Sequence, residues 1–467
     1  MTPAKHLHFL QVDENTYIGW NRFYPSIFIL NDAALELLER IKNGEAVDSF
    51  EDVDLYLEEL KKYKFLFDGD TDPSREDFIK SVKELLELPD RTAKEFYKQG
   101  KAYKELKLVI DECNLACPYC VNNYGKKPVG IKKRNEEKLK IIYSCIDQFF
   151  NRLMETGEKE AKLFFNGGEI LVEWELIKEI ILRVEKKYSG MKIKYDMNTN
   201  LTLLTEEIAR FFKEREFTIH ISIDGYKAAH NRTRIYHNGK GSFDDVMRNV
   251  ELYRKYNKDG LTSFQGTIGY PDEFDPEEVY KLTEYGFVAA RLAPNLLDEA
   301  EEDARKKARM MGKFLELNSQ HSFNVQELIF TRLKEKVNQT QYKFNFNCRG
   351  LSALPNMGIE VNLSSLSVSH LCGFIPKAAL PIEEVNYDIY NPKLWETSYT
   401  YIKERTESML KNCMECELVG ICAGGCIMFG LNKDNRINKA ACAYQKEMWR
   451  IYVQKAYDDN KKEKEST

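Results

Sequence analysis

The stretch Leu106-Lys-Leu-Val-Ile110-Asp-Glu-Cys113-Asn-Leu-Ala-Cys117-Pro-Tyr-Cys120 runs from an apolar segment straight into three cysteines spaced C-x3-C-x2-C. Leu106–Ile110 has the aliphatic, β-branched character of a strand, and the cysteines follow on one short loop at its end. Three thiolates on such a loop can ligate three corners of a cubic [4Fe–4S] cluster and leave the fourth iron free. Soft thiolate sets select zinc or iron–sulfur centres. A structural zinc site wants a fourth protein ligand in a two-plus-two spacing, which this loop lacks.

Strand and helix signals alternate beyond the loop. Apolar strands are predicted at Leu106–Ile110, Lys162–Phe165, Ile193–Met197, Thr218–Ile223, Phe264–Ile268 and Val288–Leu292. Helical stretches fall between them at Glu136–Leu153, Trp174–Lys187, Glu206–Arg215, Phe243–Tyr256 and Pro276–Tyr285. Six such repeats predict an α/β fold with parallel strands and crossover helices. Chemistry in parallel barrels gathers at the C-terminal strand ends, and the remaining motifs fall there. They are Phe165-Asn-Gly-Gly-Glu169, Asn198-Thr-Asn200, Ser222-Ile-Asp224-Gly225 and Arg291-Leu-Ala-Pro294, with His230-Asn-Arg-Thr-Arg234 and Gly241-Ser-Phe243 downstream. Gly167 and Gly168 let the backbone turn sharply and approach a ligand, so that Glu169 is expected to present a carboxylate at the barrel mouth.

The chain holds 11 cysteines in 467 residues. Three lie on the loop, Cys145 is isolated, and seven lie between Cys348 and Cys442. In a large chain without a signal-peptide core this favours metal or cluster ligation over disulfides. The spacing is Cys348-x9-Gly358-x13-Cys372, then Cys413-x2-Cys416-x5-Cys422-x3-Cys426-x15-Cys442. Cys145 shares the apolar side of its helix with Ile141, Ile142 and Phe149, as a buried structural thiol does.

The first seventy or so residues read as a separate unit. His6–Val12, Thr16–Arg22 and Ser26–Leu30 are strand-like, Asn31-Asp32 caps a helix ending at Gly44, and a second helix follows from Ser49. Expected domains are 1–72, a helical linker 73–103, the strand–helix core 104–300, a helical connector 301–340 (Ala300–Lys336), a cysteine-rich domain 341–450 and a polar tail 451–467, disordered over Asp458–Thr467. A net charge of −5 argues against nucleic acid as a partner. No apolar run reaches the length of a membrane span, and the expected location is cytoplasmic.

The cysteine loop, with Tyr119 before its last cysteine, resembles the signature of the radical S-adenosylmethionine (radical SAM) enzymes. That resemblance implies a partial (β/α)6 barrel in which the cluster on Cys113, Cys117 and Cys120 reduces SAM to a 5′-deoxyadenosyl radical. It implies further that Gly167, Gly168 and Glu169 hold the methionine ammonium, although Ile170 replaces the family's usual proline. Asn198 lies near the ribose and carboxylate, and Ser222 and Arg234 hold the carboxylate, an anion Arg engages bidentately. At the sixth strand Arg291–Pro294 could frame the adenine or serve as plain core and turn.

The C-terminal cysteines are similar to the SPASM domain, which carries two auxiliary [4Fe–4S] clusters, three clusters in all. By that similarity Cys413, Cys416, Cys422 and Cys442 hold the outer cluster, and Cys348, Cys372 and Cys426 the inner. The longer gap before Cys372 reads as an inserted hairpin, Ile359–Val361 and Ser367–His370. The inner set is one thiolate short, which suggests an open iron able to bind a substrate cysteine, with His370 as the competing ligand.

The N-terminal unit is winged-helix-like and resembles the RiPP recognition element, which binds the leader of a ribosomally made precursor peptide by strand addition. Together these resemblances imply a peptide maturase, forming sulfur-to-carbon thioethers as in sactipeptide and ranthipeptide synthases, with flavodoxin or ferredoxin as reductant. The alternatives are carbon–carbon crosslinking, sulfatase-type maturation, or a non-catalytic multicluster electron carrier. A winged-helix regulator would need a basic recognition helix, and Ala33–Lys42 is rich in Glu and Leu.

Overall fold

The computed structural model describes residues 1–24, 27–120, 135–258, 260–296, 299–327, 358–370, 378–425 and 437–465, the side chains of 460 and 463–465 excepted. Cys348, Cys372 and Cys426 lie outside the described residues, and the expected inner cluster with them.

Strands β2 (Leu7–Asp13), β3 (Thr16–Asn21) and β4 (Ile27–Asn31) form an antiparallel sheet in that order, while β1 (Thr2–Pro3) pairs with β5 (Leu66–Phe67). Asn31 caps the helix Asp32–Lys42, its side chain accepting from the Ala34 N–H at 2.9 Å. The second helix is Val53–Lys62, and the unit's own core gathers Leu30, Leu37, Leu38, Leu60 and Phe65. The expected linker is a single helix, Ser74–Lys98. It does more than connect. Its Phe78, Val82 and Ala93 share a core with Phe23 and Tyr24 from the N-terminal part and with Trp395, Ile402, Met409 and Val419 from the C-terminal part.

The six expected repeats are present as β6 (Glu105–Ile110), β7 (Glu160–Gly167), β8 (Lys192–Thr199), β9 (Thr218–Ser222), β10 (Ser263–Ile268) and β11 (Ala289–Pro294), each pairing in parallel with the next. The crossover helices form for local reasons. In Glu136–Glu155, Asn135 caps the first turn, Glu136 and Glu137 face the positive end of the helix dipole, and Ile142, Cys145, Ile146, Phe149 and Phe150 make one buried stripe. Cys145 is 1% exposed within that stripe.

Strand alternation sets which face is covered. Ala161, Leu163 and Phe165 of β7 and Tyr195 and Met197 of β8 are buried in the same core as Ile177, Ile180 and Ile181 of helix Trp174–Lys187. The opposite face carries half-buried Lys107, Lys162, Asp196 and His220, with Lys162 paired to Asp196 at 2.6 Å. A closed eight-stranded barrel fills that face with packed apolar side chains. Charged side chains there mark an open sheet.

The structure corrects the sequence reading at three places. The expected connector holds a helix, Glu301–Leu317, followed by β12 (Asn324–Glu327), which adds in parallel to β11. The expected hairpin forms, β13 (Ile359–Asn362) antiparallel to β14 (Ser367–Ser369), but it belongs to the main sheet: β13 also pairs in parallel with β6, and β15 (Leu380–Pro381) pairs with β14. The sheet order is therefore β12-β11-β10-β9-β8-β7-β6-β13-β14-β15. Lastly, the expected polar tail is the continuation of a helix over Lys439–Glu465, anchored where Tyr457 (3.1 Å) and Lys461 (2.6 Å) meet Asp13. Polar composition predicted disorder, but a partner in the N-terminal sheet gives these residues something to hold. Among the described residues no helix is long and apolar enough to cross a membrane.

Candidate active site

The C-terminal ends of β7 to β11 present one row of small side chains from the half-buried face: Asn166, Asn198, Ser222, Thr267 and Ala293. Together with Cys113, Cys117, Tyr119, Cys120, Gly167, Gly168 and Arg234 they line a solvent-open cleft of about 1010 Å³. Sequence-predicted site residues from five separate motifs thus meet in one place. Ala293 and Pro294, from the Arg291–Pro294 motif, line the same cleft.

The cysteine loop is held from several sides. The Ala116 N–H donates to the Ile235 carbonyl at 2.7 Å, and the Asn114 amide bridges Thr202 (2.8 Å) and Asn200 (3.0 Å). Behind the loop, the Gly168 N–H donates to the Ile110 carbonyl at 2.7 Å and the Glu169 N–H to the Glu112 carbonyl at 2.8 Å. These contacts explain the glycine pair. A Cβ on Gly167 would stand 2.1 Å from the Ile110 carbonyl oxygen, and one on Gly168 2.0 Å from that of Glu112.

Glu169 departs from expectation. Its carboxylate is fully buried rather than displayed at the mouth, and it is absent from the cleft lining. It accepts hydrogen bonds from the Leu171 N–H (3.0 Å), the Thr199 hydroxyl (2.7 Å) and the Asn200 N–H (2.6 Å). Burial pushes its pKa up against these three donors. The glycine pair puts its own backbone against the cleft, while Glu169 fixes the end of β8 from behind.

Asp224 carries a role the sequence reading did not assign. Its side chain is 1% exposed and accepts from the Tyr119 hydroxyl, the Thr233 hydroxyl (2.7 Å) and the Thr267 N–H (2.8 Å). The Arg234 Nε lies 3.0 Å from Asp224 Oδ1 as an ion pair, although its N–H is not aimed well enough for a hydrogen bond. Burial works to raise the Asp224 pKa, but the Arg234 charge and these donors hold it below the usual range. The same pairing, overcoming burial, raises that of Arg234. The signal was present in the S-x-D-G spacing, with aspartate two residues beyond a serine already singled out.

The cleft fits an iron–sulfur cluster with a polar ligand beside it. Three thiols line it, and burial pushes Cys113 and Cys117 up to about 12, so loading with metal must release protons. Among the described residues no three His, Cys, Asp or Glu side chains converge on a single ion. Thiols spread around a cavity suit a cluster, in which each binds a different iron. Asn198 donates to Asn166 at 3.0 Å, yet its buried carbonyl oxygen has no partner, an orphan acceptor in the cleft wall.

A second cavity gathers Cys413, Cys416, Cys422 and Cys442, walled by Leu296, Met409, Leu418, Val419 and Ala441, with Arg405 and Lys446 as its cations. The N-terminal β3 region closes the Cys413–Cys422 loop from outside. The Trp20 indole N–H donates to the Glu417 carbonyl at 2.9 Å, the Gly420 N–H to the Arg22 carbonyl at 3.0 Å, and Trp20 packs edge-on against Trp449. His370, the competing ligand for the inner set, is buried with its Nε2 engaged by the hydroxyls of Tyr97 (2.7 Å) and Tyr103 (3.1 Å). All eight described cysteines are free thiols.

Residues 108–284 match the family model described as "Radical SAM superfamily". The "Cysteine-type anaerobic sulfatase-maturating enzyme" of Clostridium novyi is 35% identical over 159 residues, covering 32% of this chain and 40% of that protein. The chain therefore spans well under half the length of that relative. The "Radical SAM cyclopropyl synthase TigE" of Paramaledivibacter caminithermalis is 21% identical across 97% of this chain and 95% of its own. In fold, the chain is similar to the solved structure described as "Native anSMEcpe with bound AdoMet and Cp18Cys peptide", at 22% identity and a TM-score of 0.56, covering 76% of this chain and 98% of that one. Of the residues that line the cleft at the strand ends, all but Ala293, Pro294 and Asn295 lie inside the matched segment; radical SAM proteins bind a [4Fe–4S] cluster and SAM, and this chain is an enzyme whose residues 108–284 match their domain.

Proposed function

We propose that the chain is a radical SAM peptide maturase that crosslinks a ribosomally synthesised precursor peptide. The observation that carries this reading is the meeting of three thiols, a glycine pair and a buried Arg–Asp couple in one polar cleft. A [4Fe–4S] cluster and SAM bound there supply a 5′-deoxyadenosyl radical, the agent that takes a hydrogen atom from the peptide. Cys113, Cys117 and Cys120 would hold the cluster, leaving one iron open to the methionine end of SAM. Gly167 and Gly168 admit the ligand close to backbone, while Ser222 and Arg234 offer a hydroxyl and a cation to its carboxylate. Asp224 keeps Arg234 from swinging out, and Asn198 offers its unpartnered carbonyl oxygen.

Two auxiliary clusters belong to the proposal. Cys413, Cys416, Cys422 and Cys442 would hold the outer one, a fully ligated centre suited to moving electrons. Cys348, Cys372 and Cys426 would hold the inner one within the 341–450 domain. An external one-electron donor such as flavodoxin or ferredoxin would feed the enzyme, and a cytoplasmic setting suits the eight free thiols among the described residues. The 1–72 unit would bind the leader. Its edge strand β4 contributes Phe28, Ile29 and Leu30 to a groove shared with Tyr56 and Tyr457, and Ile29 is 40% exposed there.

A sulfur-to-carbon thioether is the bond favoured by an inner set one thiolate short. Carbon–carbon closure is the second reading, favoured by the near full-length alignment with the cyclopropyl synthase. Anaerobic turnover with dithionite, SAM and candidate precursor peptides, sought among small open reading frames beside the gene, tests both. The expected outcome is release of 5′-deoxyadenosine with a peptide that has lost a pair of hydrogens. A product cysteine that resists alkylation indicates the thioether, and one that alkylates normally indicates carbon–carbon closure. No 5′-deoxyadenosine defeats the reading.

A further inference from the structure

The main sheet carries a contact between two distant parts of the chain that no local sequence pattern foreshadows. Strand β13, from the C-terminal part, lies in register beside β6, with Asn362 opposite Val109. The turn after it then reaches over the residues that lead into the cysteine loop. The Leu363 N–H donates to the Val109 carbonyl at 2.7 Å, and the Asn362 amide to Asp111 Oδ1 at 2.8 Å. The Ser364 hydroxyl accepts from the Asp111 N–H at 2.9 Å and donates to the Glu112 carboxylate. Asn362 Oδ1 also accepts from the N–H groups of Ser364 and Ser365, both at 2.9 Å, which makes the turn rigid.

On the opposite side of the same three residues, Gly168 and Glu169 donate to the carbonyls of Ile110 and Glu112. The segment Ile110-Asp-Glu112 is therefore gripped between the glycine motif and the C-terminal hairpin, immediately before the first cluster cysteine. Glu112 is 1% exposed, so its carboxylate depends on protein partners, one of them Ser364.

We infer that Asn362 and Ser364 are positioning residues for the cluster loop: the C-terminal part sets where Cys113 stands relative to the SAM cleft. They touch neither the thiols nor the cleft, and they act through Asp111 and Glu112. The inference rests on the reading of the cleft as a cluster and SAM site. It goes beyond that reading by making the site incomplete without the hairpin.

The test uses the full-length, anaerobically reconstituted protein and reads the EPR spectrum of the reduced loop cluster with and without SAM, the SAM dissociation constant, and total iron. Ser364→Ala removes one acceptor and one donor. It is expected to weaken SAM binding about five- to tenfold and to blunt the SAM-induced change in the spectrum, with iron content unchanged. Ser364→Thr, which keeps the hydroxyl, is expected to restore both. Should Ser364→Ala fold poorly, Asn362→Asp serves in its place: it keeps the turn's acceptor oxygen but sets a like charge against Asp111, and the same losses are expected. A Ser364→Ala or Asn362→Asp protein with wild-type SAM affinity and wild-type spectra overturns the inference. A wild-type protein that assembles no loop cluster overturns the proposed function instead, and this inference with it.

Discussion

The two described cysteine sites solve different problems. The Cys113–Cys120 loop sits in a polar cleft and is held by hydrogen bonds, from its Ala116 N–H to the Ile235 carbonyl and from the Asn200 amide to the Asn114 side chain, while the glycine motif grips the residues just before it. The Cys413–Cys442 cavity is walled by leucine, methionine and valine and is closed from outside by Trp20 and Arg22. On the proposed reading, polar walls would leave a place for a ligand beside the cluster, whereas apolar walls with four thiols would leave none. The first arrangement suits bond-making chemistry at an open iron, and the second suits electron passage. Low polarity around a cluster also tunes its potential and shields it from water.

The sharpest way to break this contrast is to remove one thiol from each site. Cys117→Ala is expected to reduce 5′-deoxyadenosine formation to background. Cys416→Ala is expected to keep SAM cleavage while losing crosslinked peptide. Liquid chromatography of the nucleoside and mass spectrometry of the peptide separate the two, and equal loss of both activities in both variants would erase the distinction.

Buried electrostatics should matter at the first site. Asp224→Ala leaves Arg234 without its counter-ion and is expected to cost about 3–5 kcal/mol of stability, measured by denaturant unfolding under anaerobic conditions. Gly168→Ala forces a Cβ toward the Glu112 carbonyl, and a cost of about 1–3 kcal/mol is expected together with weakened SAM binding by titration. At the second site the exposed ion pair should hardly count. Arg22 meets Glu415 at 2.8 Å, but the Glu415 side chain is 85% exposed, so Glu415→Gln is expected to change stability by less than about 1 kcal/mol. A large effect there would show that the N-terminal brace is electrostatic rather than built from Trp20 and backbone contacts.

Much of this site was legible because its signals are short. Cysteine spacing, the glycine pair and the period of the strands are local, and each could be read within a dozen residues. Glu169 shows the limit. Spacing placed it at a strand end, but whether its carboxylate faced the cleft or the protein depended on where Thr199 and Asn200 stand. Asp224 shows the reverse: its neighbours Tyr119, Thr233, Arg234 and Thr267 come from separate segments, so no window of sequence displays the cluster of donors. The polar C-terminal residues gave a disorder signal because composition reports solvation and not the presence of Asp13 nearby.

The amino-acid sequence by itself determined the six strand–helix repeats, the capped and striped helices, and the spacing of soft sulfur donors in the cysteine sets. Those properties follow from backbone propensity, from side-chain period and from the softness of sulfur, all of which act over short stretches of chain. Tertiary structure alone decided the sheet's edges, the burial of Glu169, the Arg234–Asp224 couple and the grip of Asn362 and Ser364 on Asp111 and Glu112. Each of these is a pairing between residues far apart in the chain. Such pairings are fixed by strand register and by the need of buried polar groups for partners, and those conditions exist only once the chain has closed on itself.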